Sequence, residues 1–311
     1  MKKYVKMMRL DHWIKQLFIL PGICFAFLLC GEDMNISILV PKLILGFIAT
    51  SLIASANYEI NEYLDREFDR FHPIKKNRTA ASEEVNGKIV WLFWAILSIS
   101  GLLLAWIINT LFFFTALWLL VMGILYNVKP IRTKDIPILD VLSESVNNAI
   151  RLLLGWFLIS PSTIPPSSIV LCYWMAGAFL MATKRFSEYR MIANPKTAGL
   201  YRKSFQRYSE RSLLISAFFY AMCSVFFVGI FLIKYRIELV LFMPILMGLF
   251  CYYFYLSFQK DSAAQRPEKL FKEKGLMIYC FVLCVIFVLL MIIDIPFLAK
   301  LTESELIILK L

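Results

Sequence analysis

The chain has 311 residues, of which 60% are hydrophobic and 18% charged, and its mean hydropathy is +0.70. This composition excludes an ordinary soluble globular protein. The formal net charge of +11 would suit a nucleic-acid-binding protein, but the bases fall in loops between apolar runs, where membrane orientation accounts for them. We therefore predict a membrane protein without a nucleic-acid partner.

Nine apolar runs are long enough to cross a bilayer as helices. Lipid tolerates only helices and closed barrels, and these runs are continuous rather than alternating. We therefore predict an all-α, polytopic bundle of nine transmembrane helices that forms one domain over residues 1–311. The predicted spans cover roughly residues 14–30, 39–60, 89–108, 110–126, 138–160, 167–185, 212–233, 238–257 and 276–298.

Lysine and arginine are unequally distributed between alternate connecting segments. Of the 33 such residues, 27 lie in segments 1–15, 61–88, 127–137, 184–211 and 257–275. The positive-inside rule places these segments and the N-terminus in the cytoplasm, as in a multi-pass protein of the bacterial inner (cytoplasmic) membrane. The polar loops at about 61–88, 127–140 and 184–211 would then be accessible to water-soluble small molecules from the cytoplasm.

The first polar cluster lies where the second predicted span becomes charged. Asn57, Asn61, Asp65 and Asp69 recur every four residues and so share one helix face, with Glu62 beside it. Amide and carboxylate oxygens at this position suit a hard divalent cation. Bases able to bind the phosphates of a cation-bound substrate follow at Arg66, Arg70, Lys75, Lys76 and Arg78. The alternative is a solvated helix end without a ligand.

The second cluster lies inside the fifth predicted span. Asp140, Glu144, Asn147 or Asn148, and Arg151 fall on one helical face. Ionisable groups at this depth are expensive in lipid, so we expect them to face a bundle interior or a polar cavity. The alternative is a polar network around Glu144 and Arg151 that only fastens helices together.

The third cluster ends the sixth predicted span, where Lys184 and Glu188, and likewise Arg185 and Tyr189, are one turn apart. An interfacial helix end with snorkelling bases would look the same. Other chemistries lack parts: the chain has two histidines, no phosphate loop and no nucleophile elbow, and its seven cysteines show no paired-ligand spacing. A transporter would be expected to show interrupted helices or matching halves, and the sequence has no convincing internal repeat.

These residues resemble the UbiA superfamily of intramembrane prenyltransferases. That family has an N-D-x-x-D-x-x-x-D run followed by a basic loop, and Asn61-Glu62-x-x-Asp65-x-x-x-Asp69 here precedes H-P-x-K-K-x-R. The resemblance implies a Mg²⁺-dependent transferase that acts on a membrane isoprenoid (pyro)phosphate and releases pyrophosphate. It assigns Mg²⁺ to Asn61, Asp65 and Asp69, with Glu62 completing the shell directly or through water.

The chain departs from the family pattern at several positions. Glu62 replaces the usual Asp, Thr79 the usual Pro and Glu83 the usual Gly. Instead of a second acid-rich motif after the sixth span, the chain has Lys184-Arg185-x-x-Glu188. This replacement, and the K-D-I-P-I-L-D-V-L run that leads to Arg151, resemble decaprenyl-phosphate phosphoribosyltransferase-like proteins, which join phosphoribosyl pyrophosphate to a polyprenyl phosphate.

A different segment resembles the other branch of the family. The run from Tyr126 to Lys134 is similar to the Y-S-x-P-P-x-R-x-K loop of prenyl-transferring members. Prenyl transfer and phosphoribosyl transfer therefore both stay open, beside a non-enzymatic lipid-binding or transport protein. We expect the catalytic residues to be Asn61, Glu62, Asp65 and Asp69, and the substrate and its phosphates to be bound by Lys75, Arg78, Tyr126, Lys134, Asp140, Arg151, Lys184, Arg185 and Glu188.

Overall fold

A computed structural model describes residues 1–31, 35–259 and 273–301, and these residues contain helices and no strand. The α-helices, in chain order, are α1 Lys2–Met7, α2 Leu20–Cys30, α3 Ile36–Asp69, α4 Thr79–Ser82, α5 Gly87–Ile108, α6 Thr110–Asn127, α7 Leu139–Ile159, α8 Ser167–Ile192, α9 Pro195–Tyr201, α10 Glu210–Tyr235, α11 Met243–Ser257, α12 Lys274–Ile292 and α13 Pro296–Leu301. Short 3₁₀ segments include Leu10–Ile19, Lys75–Asn77 and Thr133–Asp135. The predicted all-α class is confirmed.

Five of the helices begin at an asparagine or serine whose side chain accepts a backbone N–H of the first turn. Asn86 caps α5 through Lys88 N at 2.9 Å, and Asn109 caps α6 through Phe112 N at 2.8 Å. Ser209 and Ser212 form a reciprocal capping box at the start of α10. Such caps satisfy N–H groups that have no partner within the helix, which explains where these apolar helices begin.

Eight helical segments are long and apolar enough to cross a bilayer, so the chain is an integral, multi-pass membrane protein. They are Lys2–Cys30, Ile36–Asp69, Gly87–Ile108, Thr110–Asn127, Ser167–Ile192, Glu210–Tyr235, Ile237–Ser257 and Lys274–Ile292. Helix α7 has 21 residues but is not among them, because Asp140, Glu144 and Arg151 lower its hydropathy. The fifth predicted span, 138–160, is therefore this polar helix, and the count of nine is not confirmed.

Two predicted loops are partly helical. Helix α3 extends without a break to Asp69, so the first third of segment 61–88 continues the span, and α8 extends to Ile192 within segment 184–211. The polar residues of these regions therefore lie on rigid helix ends. Most of the basic segment 257–275 and all of residues 302–311 lie outside the described residues.

Helix α7 lies at the centre of the bundle, packed against α2, α6 and α8. Its Ile150 and Leu154 belong to the same core as Ile53 of α3 and Leu119 of α6. A second core joins α8, α10, α11 and α12 around Phe179 and Tyr253. Because α7 is surrounded by protein, its ionisable side chains avoid lipid, as the sequence predicts.

The contact of α2 with α7 depends on two glycines. A Cβ on Gly155 would lie 2.0 Å from Ile19 O, and one on Gly22 would lie 1.9 Å from Leu152 O. Such distances are possible only without a side chain, and small residues commonly allow close helix packing in membranes.

Replacing Gly155 with alanine is therefore expected to separate these helices and lower the melting temperature in detergent by several degrees, because overpacking a tight contact is destabilising by about 1–3 kcal/mol. The matched control is Gly229→Ala in α10, where nothing lies within 4 Å of the added atom. This control should be neutral or slightly stabilising, since alanine favours a helix. Melting followed by size-exclusion chromatography separates the cases, and equal melting of the two variants would contradict the packing argument.

Candidate active site

The three predicted polar segments meet at one end of the bundle. Lys75 Nζ lies 2.6 Å from Glu188 Oε1, and Arg132 Nη2 lies 2.8 Å from Asp65 Oδ1. The backbone N–H of Ile138 donates to the Tyr208 hydroxyl at 2.5 Å. The segments around residues 61–88, 127–140 and 184–211 therefore form one polar surface, although they are far apart in the chain.

Beneath this surface lies a cavity of about 1170 Å³. Its polar part is lined by nine bases and six acids: Lys6, Arg9, Lys15, Lys75, Arg78, Arg151, Lys184, Arg185 and Arg202, and Asp11, Glu62, Asp65, Asp69, Glu144 and Glu188. Its other part is apolar, with Phe25, Phe231 and Phe287 among the lining residues. An excess of positive charge beside an apolar chamber suits an anionic headgroup attached to a hydrocarbon tail.

Asn61, Asp65 and Asp69 all line the cavity, as their four-residue spacing predicts. Lys134 Nζ lies 2.6 Å from Asp65, and Arg78 lies 2.7 Å from Asp69, which is buried. The fourth member of the column, Asn57, donates instead to Leu119 O at 2.9 Å and so also fastens α3 to α6.

The ligand atoms that these side chains offer are of the type that a magnesium ion prefers. Two carboxylates and the Asn61 amide supply hard oxygen ligands on consecutive turns of one rigid helix. Within the described residues no group of three or more acidic, histidine or cysteine side chains is assembled as a metal cluster. Any cation here would therefore depend on two carboxylates, an amide and the substrate's own oxygens.

Glu62 lies apart from this set. Its Oε2 accepts hydrogen bonds from Arg9 Nε at 3.0 Å and Arg9 Nη2 at 2.6 Å, and its Oε1 accepts from the Ala80 N–H at 3.3 Å. Since Glu62 is 3% exposed, these contacts join the N-terminal segment, α3 and α4. The geometry gives Glu62 a fastening role beside the magnesium ligation that the family resemblance implies.

The basic loop after α3 is ordered by His72. Its Nδ1 accepts the backbone N–H groups of Ile74 and Lys75, each at 3.1 Å, and its ring stacks edge-on against Tyr201. This holds Lys75 against Glu188 and the Tyr201 hydroxyl. Burial lowers the pKa of Lys75, with Glu188 partly opposing the effect.

Neutral His72 is expected to make stability depend on pH. Burial, reinforced by Lys75, lowers the pKa of His72 to about 3, so the folded protein binds this proton more weakly than the unfolded chain. The contribution of neutral His72 to the stability of the fold is complete above the unfolded pKa of about 6.5. It is lost as the pH falls toward the pKa of His72 in the folded protein. The melting temperature should fall more steeply between pH 7 and pH 5 in the wild type than in His72→Asn, because asparagine can accept the same N–H groups without titrating. Identical slopes would contradict this.

The end of α6 and the loop after it contact the candidate metal ligands through Asn127, Arg132 and Lys134. The Asn127 side chain accepts from Lys134 Nζ at 2.7 Å and from Asn61 Nδ2 at 2.6 Å. Burial lowers the pKa of Lys134 to about 8, although Asp65 opposes the shift. A buried ammonium group beside Asp65 is well placed to contact a phosphate bound there.

Helices α7 and α8 supply a second charged group around Arg185, whose side chain is 1% exposed. Arg185 pairs with Glu144, lies 3.5 Å from Asp140 and 3.3 Å from Glu188, and donates to the Tyr126 hydroxyl at 3.0 Å. Lys184 lies 3.8 Å from Glu144.

Asp140 is also bound by Arg202, Ser204 and Tyr208. The predicted cavity-lining role of this helix face holds for Glu144 and Arg151, whereas Asp140 is fully buried behind Arg185.

Several residues of this surface were not singled out from the sequence. Arg9 and Asn127 were not predicted as site residues, and their contacts with Glu62 and Asn61 show their place. Arg132, Tyr201 and Arg202 lie within polar segments that the sequence does mark. Nothing in the spacing of residues 201–211 distinguishes Arg202, which reaches Asp140, from its exposed neighbour Lys203.

A family model described as the UbiA prenyltransferase family matches residues 19–281. The chain belongs to the UbiA prenyltransferase family. This confirms the predicted family and, at the family level, the prediction of a transferase.

This UbiA-family chain is 28% identical over 206 residues to nodulation protein NoeC of Azorhizobium caulinodans, a match that covers 65% of this chain and 62% of that protein. It is 27% identical over 213 residues to decaprenyl-phosphate phosphoribosyltransferase of Mycolicibacterium smegmatis, covering 67% of this chain and 63% of the relative. The chain thus matches less than two thirds of the length of both curated relatives.

The fold of this UbiA-family chain is also found in a solved structure. It superposes on a UbiA homolog from Archaeoglobus fulgidus bound to GPP and Mg²⁺ with a TM-score of 0.68, over 90% of this chain and 99% of the homolog. The two sequences are 21% identical, so the likeness establishes the fold and not the substrate.

Proposed function

We propose that the protein is a magnesium-dependent transferase of the bacterial inner membrane that joins a phosphoribosyl group to a polyprenyl phosphate and releases pyrophosphate. In this reaction an oxygen of the lipid phosphate forms a bond to the anomeric carbon. The bond from that carbon to the pyrophosphate oxygen breaks, and pyrophosphate leaves with the electron pair. The substrates are thus an isoprenoid lipid and a water-soluble co-substrate.

The observation that carries this proposal is the asymmetry of the charged surface. One part of the cavity presents the oxygens of Asn61, Asp65 and Asp69. In another part, helix α8 carries Lys184 and Arg185, paired with Glu144 of α7, where a second acidic motif would stand. Lys75 and Arg202 extend this basic part. A donor with a pyrophosphate at one end and a further phosphate at the other matches one cation site together with a basic part of the same cavity. The similarity to a decaprenyl-phosphate phosphoribosyltransferase supports the same reaction.

The side chains have distinct roles in this scheme. Asn61, Asp65 and Asp69 would hold Mg²⁺, which supplies positive charge to the departing pyrophosphate. Arg78 and Lys134, which contact these carboxylates, would donate hydrogen bonds to the phosphate oxygens of a donor bound there. The surrounding apolar residues exclude water, which would otherwise react with a cation-like anomeric carbon.

The proposed topology has nine crossings with a cytoplasmic N-terminus, in one domain over residues 1–311. Helix α7 supplies the crossing that raises the count from eight to nine, because its two ends lie at opposite ends of the bundle. Near its start, Ser143 contacts Thr133 of the polar surface at 2.8 Å. Near its end, Phe157 O accepts from Asn109, in the turn between α5 and α6, at 2.9 Å. The basic segments on the polar side place that side in the cytoplasm.

Prenyl transfer to an acceptor is the second candidate. The contact of the Tyr126 hydroxyl with Glu144 and of Lys134 with Asp65 joins the Tyr126–Lys134 segment to both charged groups, and this segment resembles prenyl-transferring members. The Archaeoglobus fulgidus homolog was solved with GPP, a prenyl diphosphate. Both candidates use the same cation site but break a bond to a different carbon.

Membranes containing the protein would be incubated with labelled phosphoribosyl pyrophosphate and a polyprenyl phosphate, and separately with a prenyl diphosphate and candidate acceptors. A labelled lipid that requires the ribosyl donor and Mg²⁺ is the expected product. A product formed only from the prenyl diphosphate would replace the first candidate by the second. No pyrophosphate release with either pair would favour a non-enzymatic lipid-binding or transport protein.

A further inference from the structure

Arg151 lies deeper in the cavity than the charged groups described above. It follows Glu144 by seven residues on α7, which places its Cα about 10 Å further along the helix axis. Its Nε donates to Gln16 Oε1 at 2.8 Å and its Nη1 to Asn147 O at 3.0 Å. Both partners are neutral.

The guanidinium of Arg151 has no carboxylate within 4 Å among the described residues. Four other arginines line the cavity, and each has an acidic partner: Arg9 with Glu62, Arg78 with Asp69, Arg185 with Glu144 and Arg202 with Asp140. A guanidinium inside a membrane protein is strongly unfavourable without a counter-charge. Among the five arginines that line the cavity, Arg151 is therefore the one without an acidic partner in the described residues, and a bound anion would supply the missing counter-charge.

Two further polar groups beside Arg151 lack partners. Gln16 is fully buried and its Nε2 makes no hydrogen bond, and the buried Oδ1 of Asn147 is also unpartnered. Buried amide groups normally find partners, so unsatisfied groups at one place indicate a missing ligand or water. Gln16 is not among the residues that line the cavity, so its role is to hold the guanidinium in place, and the remaining N–H groups of Arg151 are suited to several oxygens of one anion.

The surroundings identify what kind of molecule carries this anion. The remaining walls of the cavity are apolar and include Cys24, Phe25, Phe231, Leu283 and Phe287. These residues come from α2, α10 and α12, so the apolar chamber extends beyond Arg151 among the transmembrane helices. A hydrophilic sugar phosphate would have to leave its water against these walls, whereas an isoprenoid chain fits them.

We propose that Arg151, positioned by Gln16, binds the phosphate monoester of the lipid co-substrate, while its isoprenoid tail occupies the apolar chamber. This rests on the proposed function, which requires a polyprenyl phosphate to meet the ribosyl donor at the polar end. Arg151 would hold one phosphate oxygen pair and leave another oxygen directed toward the donor. The lipid phosphate and the donor pyrophosphate then have separate subsites.

Binding of geranyl monophosphate to the purified full chain in detergent tests this assignment, with EDTA present so that magnesium-dependent binding is silent. Geraniol and ribose 5-phosphate are the parallel probes, because they carry the tail without the phosphate and the phosphate without the tail. Arg151→Gln should weaken geranyl monophosphate binding by about 10- to 100-fold, because charged hydrogen bonds are lost. The same variant should leave geraniol binding unchanged. The matched control is Arg211→Gln, an exposed arginine at the start of α10.

Arg151→Lys keeps the charge and loses the bidentate fork, so it should show an intermediate loss and provides a second folded variant. Unchanged geranyl monophosphate affinity in both Arg151 variants would overturn the assignment, as would selective loss of ribose 5-phosphate binding. The result is separable from the transfer assay. Arg151-dependent binding of geranyl monophosphate by a protein that makes no ribosyl product would refute the proposed reaction and retain the phosphate subsite.

Discussion

Asp65→Asn and Asp69→Asn are each expected to abolish magnesium-dependent transfer while leaving expression and membrane insertion intact. Each change removes one negative charge and keeps the size of the side chain. Removing one preorganised group that stabilises transition-state charge typically lowers turnover by about 100- to 1000-fold. Asn127 and Asp135 still contact Lys134 and Arg132 in Asp65→Asn, so the surrounding fold should persist. Pyrophosphate release at several magnesium concentrations is the measurement.

Glu67→Gln is the matched control for these variants, since Glu67 lies on the same helix, is exposed, and pairs weakly with Arg66 at 3.8 Å. It should behave as the wild type. Near-normal turnover in either aspartate variant would eliminate the proposed metal site. A loss of activity that high magnesium restores would instead support a weakened cation site.

Arg185→Met is expected to give the largest loss of stability. Arg185 is the shared partner of Asp140, Glu144 and Glu188, and two of these carboxylates are fully or almost fully buried. Removing one partner of a buried ion pair commonly costs about 3–5 kcal/mol, because the remaining charge is left uncompensated. Arg202, Lys184 and Lys75 also contact these acids, which places the expected loss toward the lower part of that range.

The free energy of unfolding, or the melting temperature in detergent, measures this effect. Arg190→Met provides the control on the same helix, because Arg190 is 41% exposed and its pair with Glu210 spans 3.9 Å. Exposed pairs contribute about 0–1 kcal/mol, so the control should melt close to the wild type. Equal melting of Arg185→Met and Arg190→Met would show that the buried network does not stabilise the bundle.

Local sequence patterns were sufficient to predict the transmembrane character of the chain and the separation of α5 from α6 at Asn109. They also predicted the column of Asn61, Asp65 and Asp69. Hydrophobic length and four-residue spacing are properties of one segment, and a helix converts them directly into a span or a face. The same reasoning found the polar face of α7 and predicted that it would avoid lipid. The family resemblance added the proposed chemistry of the column.

What only the tertiary structure decided is which charges meet. Arg9 reaches Glu62 across 53 residues, Lys75 reaches Glu188 across 113, and Arg151 is bound by Gln16 instead of an acid. These pairings depend on how the N-terminal segment packs against α3 and α7, and how the loop after α3 packs against α8. No periodicity within one segment contains that information. The first polar column is therefore readable from the chain alone, because one helix carries it. The basic part of the cavity and the separate position of Arg151 arise from packing between helices.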